Sequence, residues 1–215
     1  LMGNKSHFFR QSSGGLNLSL VAEYNFNNNL IDEIGGNNGT GTNISYNVGD
    51  NGNEAVFNGS SSFVDITDND AFTFTDGVND LPFRMELMVK INNSNTQMFI
   101  NKRNPSISAE FQVQYSSGFF RFNLLSAIVD TPYIQKKLAL SITPNTYYNI
   151  ILIYDGSKNT DGMELIVNDI VANEVGGIGV YDGIKNTSSQ ITIGKRGWQN
   201  RDYLNGAISQ IKVYK

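Results

Sequence analysis

The chain has 215 residues, of which 40% are hydrophobic, 11% aromatic and only 17% charged, with a net charge of −4, no cysteine and a single histidine. The acidic balance excludes field-driven attachment to nucleic acid, which needs a basic stripe to displace counterions from phosphate. The lack of cysteine excludes disulfides, thiolate metal sites and a cysteine nucleophile, and no apolar run approaches the roughly 20 residues that span a bilayer.

With few charges, the surface must be built from Asn, Ser, Thr and Gly. Those residues suit turns, while the aromatic and β-branched residues suit strands, so the composition predicts many strands joined by many turns. Residues 1–15 end in Ser-Ser-Gly-Gly and carry no sustained periodicity, which reads as an N-terminal arm or linker. Its Phe8-Phe9 pair reads as a stray apolar pair in a leader rather than a docking point. Strands are predicted at 18–26, 55–57, 62–66, 83–91, 97–100, 110–115, 119–125, 147–154, 164–167, 190–193 and 207–214, each bounded by Gly, Asn, Asp or Pro, and no helix is visible. Along 84–91, Met85, Leu87, Val89 and Ile91 alternate with Arg84, Glu86, Met88 and Lys90, the period of a strand with one packed face. The run Ile150-Ile-Leu-Ile-Tyr154 is apolar in both phases and reads as a strand covered on both sides. Hairpin chemistry stands at 115–119 (YSSGF) and 154–158 (YDGSK).

Taken in order, these pieces resemble a known family. Residues 20–26 (LVAEYNF), 55–65 (AVFNGSSSFVD), 83–90 (FRMELMVK), 147–156 (YYNIILIYDG), 164–168 (ELIVN), 191–194 (ITIG) and 204–214 (LNGAISQIKVY) match in sequence and spacing the strands of the laminin-G-like, concanavalin A-like lectin/glucanase domains. The resemblance covers roughly residues 18–215. It implies an all-β fold, a two-sheet antiparallel β-sandwich or jelly roll, occupying residues 16–215 as one domain. It does not imply one function, because lectins, adhesion domains and glycoside hydrolases share this fold.

Catalytic signals are weak. Hydrolases of this fold carry two Glu with an Asp between them on one strand, and no such run exists here. Asp65 and Asp68 are three residues apart, which puts them on opposite faces of a strand. His7 lies in the arm, away from any triad or metal partner. The glycines at 176–179 (GGIG) sit among strands, where glycine marks a bend more often than a phosphate loop. Relatives commonly hold a structural calcium ion, and the resemblance places its ligands at Asp32, Asn58, Gly59 and Ser209, the last standing where the family usually has Asp. The loss of that carboxylate weakens a site whose affinity depends on ligand charge.

Glycan binding asks for an aromatic face and a few fixed polar groups. Residues 195–203 (KRGWQNRDY) supply both: the one tryptophan, Trp198, with Arg196, Asn200, Arg201, Asp202 and Tyr203 around it. Trp198 is flanked by Gly197 and Gln199, and two readings stand, a binding platform or a lid folded back on the core. Tyr133, Tyr181 and the loop 76–80 are weaker candidates.

Three functions follow in order. The first is a non-catalytic carbohydrate-binding or adhesion module of a bacterial surface or phage virion protein, extracellular and without membrane insertion. The second is a structural or protein-interaction domain whose N-terminal arm docks on a partner protein. The third is a glycoside hydrolase with an unrecognised carboxylate pair.

Overall fold

The computed structural model describes residues 15–104, 108–126 and 131–215. His7, the Phe8-Phe9 pair and all of the expected arm except Gly15 lie outside the described residues. Sixteen strands are described: β1 (Leu20–Tyr24), β2 (Thr40–Thr42), β3 (Ser45–Gly49), β4 (Gly52–Asn58), β5 (Phe63–Ile66), β6 (Phe83–Ile91), β7 (Gln97–Asn104), β8 (Ser108–Ser116), β9 (Phe119–Leu125), β10 (Tyr133–Ala139), β11 (Thr146–Tyr154), β12 (Met163–Val167), β13 (Ile170–Val171), β14 (Glu174–Ile178), β15 (Ile191–Ile193) and β16 (Asn205–Tyr214). The helical content among them is two 3₁₀ turns of three residues each.

The strands form two antiparallel eight-stranded sheets. The first runs β13-β12-β11-β6-β16-β4-β3 with β1 also paired to β16, and the second runs β14-β10-β9-β8-β7-β15-β5-β2. Their inner faces enclose one core, so the chain is the β-sandwich expected of it. Alternation sets the core: β6 buries every odd position and half-exposes every even one. Phe83 joins the two layers, stacking on Phe74 at 3.8 Å between ring centroids and meeting Tyr154 edge-on at 5.9 Å and Phe122 at 6.0 Å. Such edge-on aromatic contacts add to the burial of the rings themselves.

Two expectations are refined. β11 lies between β6 and β12, and its Ile150 and Leu152 enter the core. On the outer face its Ile151 and Ile153 are covered by their register neighbours Glu86, Arg84 and Ile166 rather than by another layer. The hairpin at Ser117-Gly118 is a tight turn with both residues at positive φ. By contrast, the 154–158 segment leads into a longer loop with a 3₁₀ turn before β12.

The second sheet also buries charge. Lys102 on β7 lies opposite Phe111 and is fully enclosed, its ammonium 2.8 Å from Asp68 and 3.0 Å from Glu110. Glu110 further accepts the backbone N–H and hydroxyl of Thr187 at 2.9 and 2.7 Å. Burial pushes the Glu110 carboxyl up from its ordinary value, against the lowering pull of Lys102 and of Thr187. A carboxyl that holds its proton more tightly in the native state loses stability as pH rises from the unfolded value through the native one. Urea denaturation from about pH 4 to 7 should therefore show a decline that is reduced in Glu110→Gln, and equal pH slopes would refute this. At neutral pH Lys102→Met, which strands two carboxylates without their cation, should cost about 3–5 kcal/mol.

Candidate functional site

The loop between β15 and β16, residues 194–204, is held against the outer face of the second sheet. Its ends are anchored by Gly194 N–H to Phe99 O (3.0 Å), Leu204 N–H to Gly194 O (2.8 Å) and Met98 N–H to Asp202 O (2.9 Å). Internally, Gln199 N–H donates to Arg196 O and Arg201 N–H to Gln199 O, both at 2.9 Å. Asn101, buried on β7, is the main fastener: its Nδ2 donates to Thr192 O and Lys195 O at 3.0 and 2.9 Å, and its Oδ1 accepts Gly197 N–H at 3.0 Å. Gly197 has no room for a side chain, since a Cβ there would lie 2.5 Å from Arg103 O.

This anchoring decides between the two readings of Trp198. The backbone beside it is pressed on β7 while the side chain remains 48% exposed, so the indole stands out from the fold and is not a lid on the core. Beside it, Arg196 Nε donates to Asp202 Oδ2 at 2.6 Å and its Nη2 reaches Gln114 Oε1 at 3.4 Å. Arg201 approaches the same carboxylate at 3.9 Å, and the Tyr203 hydroxyl meets Asn200 Oδ1 at 3.3 Å. All six residues named for this site lie on this one loop, where Asp202 accepts a hydrogen bond from Arg196 and faces Arg201 as an ion pair, and Tyr203 bonds Asn200 separately.

The sequence reading missed the surface beneath that loop. Strand register lines up Asp65, Thr192, Asn101, Gln112, Asn123 and Gln135 as one polar row across the outer face of the second sheet. The row is internally bonded: Thr192 Oγ1 donates to Asp65 Oδ1 (2.8 Å), Arg103 to Gln112 Oε1 (3.0 Å), Gln135 Nε2 to Asn123 Oδ1 (2.7 Å) and Arg121 to Gln135 Oε1 (3.2 Å). Phe119, at the rim of this face, lies under both Arg121 and Lys137 at 5.1 and 4.8 Å. The available signal was the alternation Phe-Gln-Val-Gln-Tyr over 111–115 of β8, whose polar phase is amide rather than charged.

The positions named for calcium carry separate local contacts. Asp32, 3% exposed, spends its carboxylate on the fold: Oδ1 accepts Glu23 and Ile34 N–H at 2.9 and 3.1 Å, and Oδ2 accepts the Asn37 backbone and side-chain N–H at 3.1 and 3.0 Å. Burial opposes its ionisation, but these backbone bonds outweigh burial and hold the carboxyl below the usual range. Asn58 Oδ1 caps the N–H groups of Ser60, Ser61 and Ser62, Gly59 abuts Asn205, and Ser209 lies further along β16. Among the described residues no group of three or more His, Cys, Asp or Glu could hold a metal ion. An Asp whose four lone pairs are taken does not fit a calcium ligand.

The remaining candidates are structural fasteners. Tyr154 and Tyr181 donate their hydroxyls to Asp80 Oδ2 at 2.7 and 2.8 Å, tying the 76–80 loop to β11 and to the 181–184 loop. Tyr133 and the glycines Gly176 and Gly177 lie on the paired strands β10 and β14. Asp65 and Asp68 diverge as expected, one toward Thr192 and the other toward Lys102.

The pattern that defines the concanavalin A-like lectin/glucanases superfamily matches residues 58–215. Among solved structures, domain 4 of AbnA, an extracellular GH43 arabinanase from Geobacillus stearothermophilus solved in complex with arabinotriose, is 19% identical. The match covers 92% of this chain and 93% of that one with a TM-score of 0.67. The binding domain of Paraclostridial Mosquitocidal Protein 1 is 15% identical over 91% of this chain and 48% of its own, TM-score 0.67. A botulinum neurotoxin type C structure, from work on its interaction with two ganglioside molecules in cell entry, is 15% identical over 91% and 47%, TM-score 0.67. The chain therefore spans about half the length of these toxin structures. No curated protein matches it in sequence.

Asp32→Ala is expected to cost about 1–3 kcal/mol of stability, because it orphans four N–H donors. A calcium chelator should leave the thermal midpoint of the native chain unchanged. A midpoint that falls with chelator and recovers with calcium would overturn the assignment of Asp32 to the fold alone.

Proposed function

The chain belongs to the concanavalin A-like lectin/glucanase superfamily, and from that membership we propose that it is a non-catalytic carbohydrate-binding module of a secreted or cell-surface protein, with the Trp198 loop as its sugar contact. One observation carries the reading: a half-exposed indole on a loop whose backbone is fastened to a sheet. A rigid, outward aromatic face stacks on the apolar face of a sugar ring at little entropic cost, and the Arg196–Asp202 pair beside it offers fixed donors and acceptors for hydroxyls. Support comes from the arabinanase domain holding arabinotriose, which aligns with this chain along nearly its whole length.

The hydrolase reading finds no support among the described residues. Asp68 and Glu110 are two carboxylates close together, but one buried ammonium neutralises both, and the Glu110 side chain is fully enclosed. A glycosidase needs its two carboxylates open to the bond they flank. A protein ligand is the second reading, favoured by a similar botulinum neurotoxin DC binding domain that was solved with rat synaptotagmin II.

A glycan array that includes arabino-oligosaccharides and ganglioside headgroups tests the proposal directly. Trp198→Ala is expected to weaken binding about 10-fold or more, equivalent to about 1.4 kcal/mol, and Trp198→Phe to keep part of it. Unchanged affinity in Trp198→Ala would remove the loop from the reading, and an empty array would shift it to a protein ligand.

A further inference from the structure

On the opposite face of the molecule the first sheet has a notch. Along β16, residues 205–208 pair with β4 and residues 211–214 with β1, while the ladder to β6 shifts between Ile208 and Gln210. Ser209 has no cross-strand partner on either side among the described residues. A bulge of this kind re-aims side chains and interrupts pairing. Here it opens a cleft of about 370 Å³ lined by Asn25, Asn27, Asn53, Met88, Ser209 and Gln210.

We propose that this cleft is a second ligand site, for an uncharged saccharide, independent of whether the Trp198 loop binds sugar. The side-chain amides are mutually oriented. Asn53 Nδ2 donates to Asn27 Oδ1 at 3.1 Å, and Gln210 Nε2 donates to Asn25 Oδ1 at 2.9 Å. With those oxygens taken, Asn25 and Asn27 present their N–H₂ groups and Asn53 and Gln210 their carbonyl oxygens, so donors and acceptors are both held ready. Adjacent sugar hydroxyls, each able to donate and accept, match that arrangement. Met88 gives an apolar floor for the C–H face of a ring. No ionisable side chain lines the cleft; the Glu23 carboxylate, which Gln210 Nε2 reaches at 3.5 Å, is itself paired with Lys212 at 3.5 Å, so the lining offers an ionic ligand no unpaired charge. The volume falls at the small end of the roughly 300–1,000 Å³ typical of ligand pockets, which suits one or two sugar rings.

The test is NMR titration of the full ¹⁵N-labelled chain with arabinotriose, maltotriose and, for comparison, a uronate-bearing trisaccharide. The side-chain amide signals of Asn25, Asn53 and Gln210 report this cleft, and the indole N–H of Trp198 reports the other loop. At least one neutral probe should shift the amide signals saturably with a Kd of about 1 mM or below, insensitively to salt. Gln210→Ala, and separately Asn25→Ala, should weaken it about fivefold or more while leaving the rest of the spectrum in place. Amide signals that stay still with both neutral sugars, or that move only with the uronate and lose the effect in salt, would overturn the proposal. Movement of the indole alone would likewise overturn it while sparing the Trp198 loop; movement of the amides alone would do the reverse.

Discussion

β16 is bonded along one edge to β6 and along the other to β4 and then to β1, so the last strand of the chain is held by three strands that all come from its first half. Its inward side chains, Ile208, Ile211 and Val213, are fully buried against the second sheet. Pairing of this sequence separation carries a loop-closure cost that only core burial repays. It also dictates where irregularity must fall. A strand that changes partner midway cannot keep both ladders in register, and the Ser209 bulge sits at that changeover. The loop that delivers the chain from β15 in the second sheet to β16 in the first has to cross the end of the sandwich, and that loop carries Trp198. Both proposed sites are thus consequences of where one strand sits.

Much of this was legible from residues alone. β6 announces itself because every second residue is large and apolar, and the Ser117-Gly118 turn because two consecutive residues accept positive φ. β10 was not legible: Tyr-Ile-Gln-Lys-Lys-Leu-Ala has just Ile134 and Leu138 on its packed phase, and its polar phase is filled by groups that serve the outer face of the sheet. β3 and β14 lie at sheet edges with little to bury, and the two glycines in β14 weaken its strand signal further. At the candidate site, tryptophan chemistry drew attention to the 195–203 loop, whereas the polar row beneath it depends on cross-strand register, a property that no single segment displays. The hydrogen-bonding of Asp32 was likewise not legible: the resemblance named it as a calcium ligand, and that the 31–37 loop folds around it with backbone N–H groups depends on three-dimensional closure.

The distribution of charge separates what holds the molecule together from what it presents. Lys102, Glu110 and Asp32 are enclosed ionisable groups held by ion pairs and hydrogen bonds within the fold, which is the condition under which buried charge is tolerated. Groups in that state have no capacity left for a ligand. The Trp198 loop and the β1–β4 notch are built the other way, from an exposed ring in the first case and uncharged amides with spare hydrogen-bonding atoms in the second. Both offer what polyhydroxyl recognition requires: an apolar surface and short-range polar groups held by hydrogen bonds or ion pairs. Preorganisation of that kind lowers the entropic cost of holding a weakly hydrated sugar face, and it is the physical ground on which both proposed sites favour a neutral saccharide over an anionic polymer.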